Sequence, residues 1–477
     1  MSFIQKYNVH LLILLIIIVG TLLRLYNINF DDLWFDEIVS YWIADPHITI
    51  KESYLRNNAT DGPPFTFNLI LKIFFRIFTY NPELGRYFSA TFGILSLISI
   101  SYLAKIVTTN NSYLLLMFLV SFNIYLIKYS QELRVYSLVF FATSIVLIFF
   151  FKSIKKSNKK INILDQIFFS LSLIFLILLH PFTLIIFFSI IIFSIISLVR
   201  FNKNLLNINY SILYVSLFLI PYLIIYFKNL NIYPGWISAL ELKFFTNFFF
   251  SKFFGSRIMG TIHLLILIYL IVKFKNIFFY NFDSRIIFII IIILSYALPL
   301  IYNYLWKPIL FDRYIIFILI PILLIISNLI YEIKNNLIKK ILIIILVLST
   351  LINLCNEATF LQFIKERRLY KPDLSGALKK IHSSNYKNFT FNLEKNEDIK
   401  YYLHDALKNY SSKIENKLNF KLHYYKDHNS NNLKFLWIIC LKDINGNDCS
   451  IPKFKKKLKI TKDINLNNIN LKLLEFF

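Results

Sequence analysis

Up to about residue 355 the chain alternates long apolar runs with short polar loops, and then its character changes. Runs of Ile, Leu and Phe long enough to cross a bilayer, about 17–25 residues each, fall near 8–26, 64–80, 84–106, 112–128, 133–151, 165–180, 181–199, 210–227, 259–275, 285–303, 312–331 and 338–355. Most carry no polar stripe at helical spacing, which suits helices facing lipid better than the one-sided helices of a soluble core. Residues 356–477 are polar and rich in Lys and Asn, with short strand-like runs such as Phe435–Cys440. The pattern predicts a transmembrane domain over 1–355 and a separate soluble α/β domain over 356–477. No internal repeat is evident.

Composition removes the alternatives. Hydrophobic residues make up 57% of the chain and the mean hydropathy is +0.59, whereas soluble domains run near 45–50% apolar. A soluble globular enzyme and a disordered chain are excluded, and three cysteines are too few for a disulfide scaffold. The net charge of +25 does not point to nucleic acid, because the lysines sit in short loops and in the last quarter of the chain rather than on a compact stripe. Abundant Ile, Asn, Lys and Phe beside scarce Gly and Ala is also the composition expected of AT-rich coding. The first apolar run, Val9–Leu23, lacks a small-residue cleavage site and reads as an uncleaved first span.

Charge in the short loops sets the orientation. Lys152, Lys155, Lys156, Lys159 and Lys160 form the strongest basic cluster and are expected inside. Arg200 and Lys203, then Lys273, Lys275 and Arg285, then Lys334, Lys339 and Lys340 fall on the same side, and the C-terminal domain falls outside. With Lys6 inside, an even number of crossings must precede Lys152, so one run among 64–128 is expected to be re-entrant or interfacial. The fold class that results is an all-α polytopic membrane protein of about eleven transmembrane helices, with a C-terminal extracytoplasmic α/β domain, in the inner or plasma membrane. The 27–63 loop, Ser130–Tyr136, His180-Pro181 and Asp312-Arg313 then share the periplasmic or exterior face, together with the amphipathic 228–258 loop around Pro234-Gly235-Trp236. Ionisable groups at membrane depth cost about 2.5–3.5 kcal/mol each on insertion scales, so their convergence marks a site.

In the first outer loop, Asp36-Glu37 stands between Trp34-Phe35 and an apolar stretch on a short helix. A carboxylate beside apolar walls is poised to act as a general base; a helix cap is the plainer reading, and it suits Asp31 and Asp32 better. Pro63-Pro64 gives the next run a rigid start. Glu132 and Arg134 stand two apart and need not pair with each other. His180-Pro181 breaks an apolar run, and Phe311-Asp312-Arg313-Tyr314 opens the penultimate span. Arg313 is either a snorkelling anchor or a planar donor fork for a phosphate at headgroup level. Neither a phosphate loop nor a dinucleotide fingerprint is present, no His/Cys metal cluster is legible, and nine glycines leave little for a nucleotide cradle. The sequence leaves a divalent metal undecided. Cys440 and Cys449 can form a disulfide across the turn at Asn445-Gly446-Asn447.

The order of these features resembles the polytopic GT-C glycosyltransferases. An Arg-bearing first span leads to Trp34-Phe35-Asp36-Glu37 with Ser40 and Tyr41, then Pro63-Pro64, Gly85-Arg86, Tyr129–Tyr136, His180, and Arg313-Tyr314 with Pro321. The nearest look-alikes use dolichyl- or undecaprenyl-phosphate sugars: protein O-mannosyltransferases, the lipid A aminoarabinose transferase and the rhizobial lipopolysaccharide galacturonosyltransferases. The resemblance covers about residues 8–355 in pattern and is most specific at Asp36-Glu37 and 129–136. The aminoarabinose branch has a Lys just before the paired prolines, where this chain has Gly62.

The resemblance implies transfer of a sugar from a polyprenyl-phosphate carrier to a lipid, glycan or protein acceptor, with inversion. Asp36 is expected as the general base, Glu37 and Glu132 as positioners of the sugars, and Arg134, Arg313 and Tyr314 as holders of the leaving phosphate. Tyr41, Pro64, Tyr136 and His180 support them. A glycan flippase needs no general base and should carry charged or broken helices near the midplane, in repeated halves; a polysaccharide polymerase does not require Asp36-Glu37 after the first span.

Overall fold

A computed structural model describes residues 3–108, 110–156, 163–228, 237–280, 283–356, 371–393, 400–426, 433–445, 449, 451, 454 and 457–477. Lys159, Lys160, Pro234-Gly235-Trp236, Gly446-Asn447, the 357–370 boundary segment and the side chains of Lys156 and Cys355 lie outside the described residues. The chain forms two compact units, one of Met1–Tyr26 with Tyr87–Phe360, the other of Asn27–Arg86 with Leu361–Phe477. The first outer loop and the helices after it therefore group with the C-terminal domain, whereas the hydropathy pattern placed them with the rest of 1–355.

Along the chain α1 is Phe3–Leu25, α2 Phe35–Ile43, α3 Ile50–Thr60, α4 Thr66–Ile77, α5 Pro82–Val107, α6 Asn110–Ser121, α7 Ile124–Ser130, α8 Tyr136–Lys156, α9 Ile163–Leu179, α10 Leu184–Phe201 and α11 Leu206–Lys228. Helices Arg257–Lys273, Ile286–Leu305, Leu319–Glu332 and Asn336–Asn356 follow. Among the described residues seven helices are long and apolar enough to cross a membrane, or eight if the bent pair α6 and α7 is one span. The protein is a multi-pass membrane protein.

Two of the runs between 64 and 128 depart from straight spans. Helix α4 has 12 residues, about 18 Å at 1.5 Å per residue, against a hydrocarbon core of about 30 Å. It buries Phe67, Leu71 and Phe75 along one side. Helices α6 and α7 meet at a 51° bend. That break leaves carbonyls at the end of α6 without helical partners. Arg24 of α1, fully buried, supplies donors to the Ser121 and Val120 carbonyls at 3.0 and 3.3 Å and to its own Gly20 carbonyl at 2.8 Å. On the other side of the break, Asn123 Oδ1 accepts the Leu126 N–H at 3.0 Å and caps α7.

The C-terminal part of the second unit is built on five strands, β1 Asn388–Phe391, β2 His423–Tyr424, β3 Phe435–Leu441, β4 Leu458–Leu466 and β5 Ile469–Phe476, in the order β2-β1-β3-β5-β4. β1 runs parallel to β2 and β3, while β5 is antiparallel to both β3 and β4. The β4–β5 hairpin closes through Asn467-Asn468, with Asn468 at φ 52°, the left-handed conformation that tight hairpins demand and Asn tolerates. Leu436, Ile438, Leu474 and Phe476 form a core on the sheet, and helices Leu374–Ser383 and Lys400–Leu418 complete the α/β domain. Cys440 and Cys449 are joined as a disulfide.

Candidate functional site

In the second unit, the chain enters α2 through an extended Trp34, and Glu37 at the third helical position accepts the Trp34 N–H at 3.2 Å. That is the backbone half of a capping box. Glu37 is fully buried. Arg86 meets it with a two-pronged fork, Nε to Oε1 and Nη2 to Oε2, both at 2.9 Å, and Lys371 Nζ reaches Oε2 at 2.5 Å. The remaining donors of Arg86 hold the carbonyls of Ile28, Asp31 and Asp32 at 3.1, 2.6 and 2.9 Å. Burial alone would push the Glu37 carboxyl up; Arg86 and Lys371 outweigh it and hold the carboxyl well below the usual carboxylate range.

The expectation makes Glu37 a positioner of a sugar; in the structure its oxygens are taken by Arg86, Lys371 and a backbone N–H, which hold the loop. Asp36 is different: every residue from Glu37 to Ile43 is buried, while Asp36 and Phe35 keep partial exposure. The N-cap of α2 is Trp34; Asp32 instead accepts from the Ser375 N–H and hydroxyl at 2.8 and 2.5 Å in the first turn of helix Leu374–Ser383, whose own N-cap is Asp373. Tyr41 is fully buried and stacks on Tyr80 at 4.2 Å, each hydroxyl donating to the other's carbonyl. Pro63-Pro64 is a cis pair after Gly62 at φ 72°, where the positive φ needs a glycine.

In the first unit, Glu132, Arg134, Tyr136, His180, Arg313 and Tyr314 come together. The 131–135 segment is pinned by Gln131, whose Nε2 donates to the Leu23 and Tyr26 carbonyls at 3.1 and 2.9 Å, and by Ser137, whose hydroxyl donates to the Ser89 carbonyl of α5 at 2.9 Å. His180 caps the short turn Pro181–Thr183, accepting the Phe182 N–H at 3.3 Å. Its ring lies 5.0 Å from Tyr314 and 6.3 Å from Tyr136, within electrostatic reach of Arg134 and Arg313. Arg313 is buried, its guanidinium 4.9 Å from the Phe311 ring and 5.8 Å from that of Tyr136. Glu132 is also buried and acts electrostatically on Tyr129, as do Asp312 and Arg313. Arg134 and Tyr314 keep partial exposure.

Several members of these clusters had no assigned role in the sequence. Asp312 is buried between Tyr125, whose hydroxyl donates to Oδ2 at 3.1 Å, and Lys252, 3.3 Å from Oδ1. Lys252 and Arg313 both stand 4.9 Å from the Phe311 ring. Arg86 was visible only as part of Gly85-Arg86, and Lys371 was one lysine among many. Among the described residues, no group of three His, Cys, Asp or Glu side chains is placed to hold a metal ion.

The sequence matches no protein-family model and is similar to no curated protein. Solved structures do share the fold. ArnT from Cupriavidus metallidurans in the apo state aligns with a TM-score of 0.55 at 10% identity, over 97% of this chain and 97% of that one. ArnT bound to undecaprenyl phosphate aligns at 0.53 and 10% identity over 98% and 97%. The Archaeoglobus fulgidus oligosaccharyltransferase AglB, in complex with an inhibitory peptide and a dolichol-phosphate, aligns at 0.51 and 10% identity over 93% of this chain and 70% of that one. These neighbours are polyprenyl-phosphate-dependent glycosyltransferases of the GT-C superfamily, the family the order of motifs resembles.

Proposed function

We propose, for a chain that has the fold of the GT-C glycosyltransferases, that it transfers a sugar from a polyprenyl-phosphate carrier to an acceptor hydroxyl on the extracytoplasmic side. About eleven crossings, with the N-terminus inside and the C-terminal domain outside, fit the loop charges. The transmembrane part over 1–355 then carries the donor, and 356–477 is exported. The acceptor is a lipid, glycan or protein.

Asp36 takes the proton of the acceptor hydroxyl. The oxygen attacks the anomeric carbon in line, the bond from that carbon to the phosphate oxygen breaks, and the electron pair leaves with the polyprenyl phosphate, inverting the centre. Arg134 and Arg313 neutralise the charge that develops on the leaving phosphate, with Tyr314 donating to it. The carbonyl-holding fork of Arg86 and the saturated carboxylate of Glu37 keep the loop fixed while Asp36 works.

One observation carries the reading. Of two adjacent carboxylates, one is locked in a buried ion pair and the other stays partly exposed at the start of a helix whose remaining face is packed. Purified protein incubated with a membrane lipid extract should convert a polyprenyl-phosphate sugar to free polyprenyl phosphate, followed by mass spectrometry. An extract in which no such lipid is consumed, with or without added acceptor, contradicts the proposal.

A further inference from the structure

The loop that carries Asp36 is tied to the C-terminal part of its own unit at three points. Asp32 accepts two bonds from Ser375 at the first turn of helix Leu374–Ser383. The Leu33 N–H donates to the Tyr410 hydroxyl of helix Lys400–Leu418 at 2.8 Å. Lys371 reaches Glu37. The ties fall on both sides of Asp36 in sequence, at 32, 33 and 37. Tyr410 is buried, and burial with the neighbouring Asp32 carboxylate pushes its phenol up, so the hydroxyl stays neutral across the working range.

Lys371 is the informative member. The fork of Arg86 already meets both oxygens of Glu37, and a second buried cation must give up its hydration to join them. Stability alone favours a well-packed apolar side chain in such a place over another charge. What the second cation adds is direction: it fixes Oε2 from the C-terminal side, while Arg86 fixes the carboxylate from α5. A general base must stand within hydrogen-bond reach of its proton, and a misplacement of about 1 Å costs on the order of 10²-fold in rate.

We infer that Lys371 is a positioning residue for sugar transfer, acting through Glu37 on Asp36, and that Ser375 and Tyr410 complete a clamp by which the C-terminal domain sets the reach of the base. The inference rests on Asp36 being that base. The C-terminal domain is then part of the catalytic machinery and more than a cover.

The test uses the full-length protein and polyprenyl-phosphate sugar as donor. Lys371→Met keeps length and removes charge; it should lower kcat about tenfold while the apparent donor KM stays within about twofold. Ser375→Ala should lower kcat by about threefold, again at constant KM. In an Asp36→Asn background, where there is no base left to position, each substitution should change the residual rate less than about twofold. A Lys371→Met enzyme with wild-type kcat, or losses that multiply in the Asp36→Asn background, overturns the inference. If Lys371→Met does not insert, Ser375→Ala decides by the same two criteria. Full turnover by Asp36→Asn removes the base and with it the clamp's purpose, whereas an inactive Asp36→Asn beside an unimpaired Lys371→Met and Ser375→Ala removes the clamp alone.

Discussion

Arg86 grips Glu37 through two nitrogen–oxygen contacts of 2.9 Å each, and both residues are withdrawn from solvent. The pair separates the adjacent carboxylates: Glu37 is buried at the first turn of α2, while Asp36 keeps partial exposure. Such a fork is geometric as well as electrostatic, since a guanidinium matches a carboxylate in one plane only.

Glu37→Gln should therefore act as a stability mutation. It leaves Arg86 and Lys371 buried without their countercharge, which costs about 3–5 kcal/mol in comparable pairs. Thermal unfolding in detergent should show a large loss for Glu37→Gln and a shift of less than about 1 kcal/mol for Asp36→Asn. Equal effects of the two would contradict the division.

The same pair has a pH signature. The Glu37 carboxyl is held below its ordinary value in the folded protein, so its contribution to stability is complete above about pH 4.5, the unfolded carboxylate range, and is lost as pH falls further towards the folded value. The gap in unfolding temperature between wild type and Glu37→Gln should be constant from pH 8 to 5 and shrink towards pH 3. A gap that widens on acidification would reverse the sign of the coupling.

Much of this was legible from residue patterns, and the parts that were not have physical reasons. The apolar runs mark where the long apolar helices lie, because the bilayer demands length and composition, and among the described residues seven or eight of them are long and apolar enough to cross. The run at 64–80 reads as one more span, yet α4 ends at Ile77 and keeps Lys72 buried on the carbonyls of Asp45 and Ile48, a contact no local pattern reveals. Asp36-Glu37 stood out as charge among aromatics. Which of the two is locked depends on Arg86 and Lys371, 49 and 334 residues from Glu37 in sequence. In a lysine-rich chain nothing local marks Lys371. His180, Tyr136, Arg313 and Tyr314 were each ambiguous alone, and the structure brings them into one cluster in the first unit.

Arg313 should behave as a phosphate ligand. If it is only an anchor, Lys reaches the interface equally well. If it holds phosphate with a planar fork, Arg313→Lys should weaken donor binding measurably and Arg313→Ala further, with expression intact. Titration against donor concentration checks this; unchanged affinity in both variants would leave Arg134 as the remaining candidate.

Topology can be read from exposed positions. Glu132 is buried and unsuited to labelling, whereas Lys203 and Lys421 are exposed. In intact cells, a membrane-impermeant thiol reagent should modify a single cysteine at 421 and spare one at 203. The opposite pattern would put the proposed chemistry on the cytoplasmic side.

The most direct measurement is the turnover of Asp36→Asn with a polyprenyl-phosphate sugar donor, beside its donor affinity. The substitution keeps shape and removes only the base. The account predicts normal insertion, unchanged donor binding and a fall in turnover of about 10²-fold or more. Transfer at the wild-type rate would contradict it and leave Asp36 without a catalytic role.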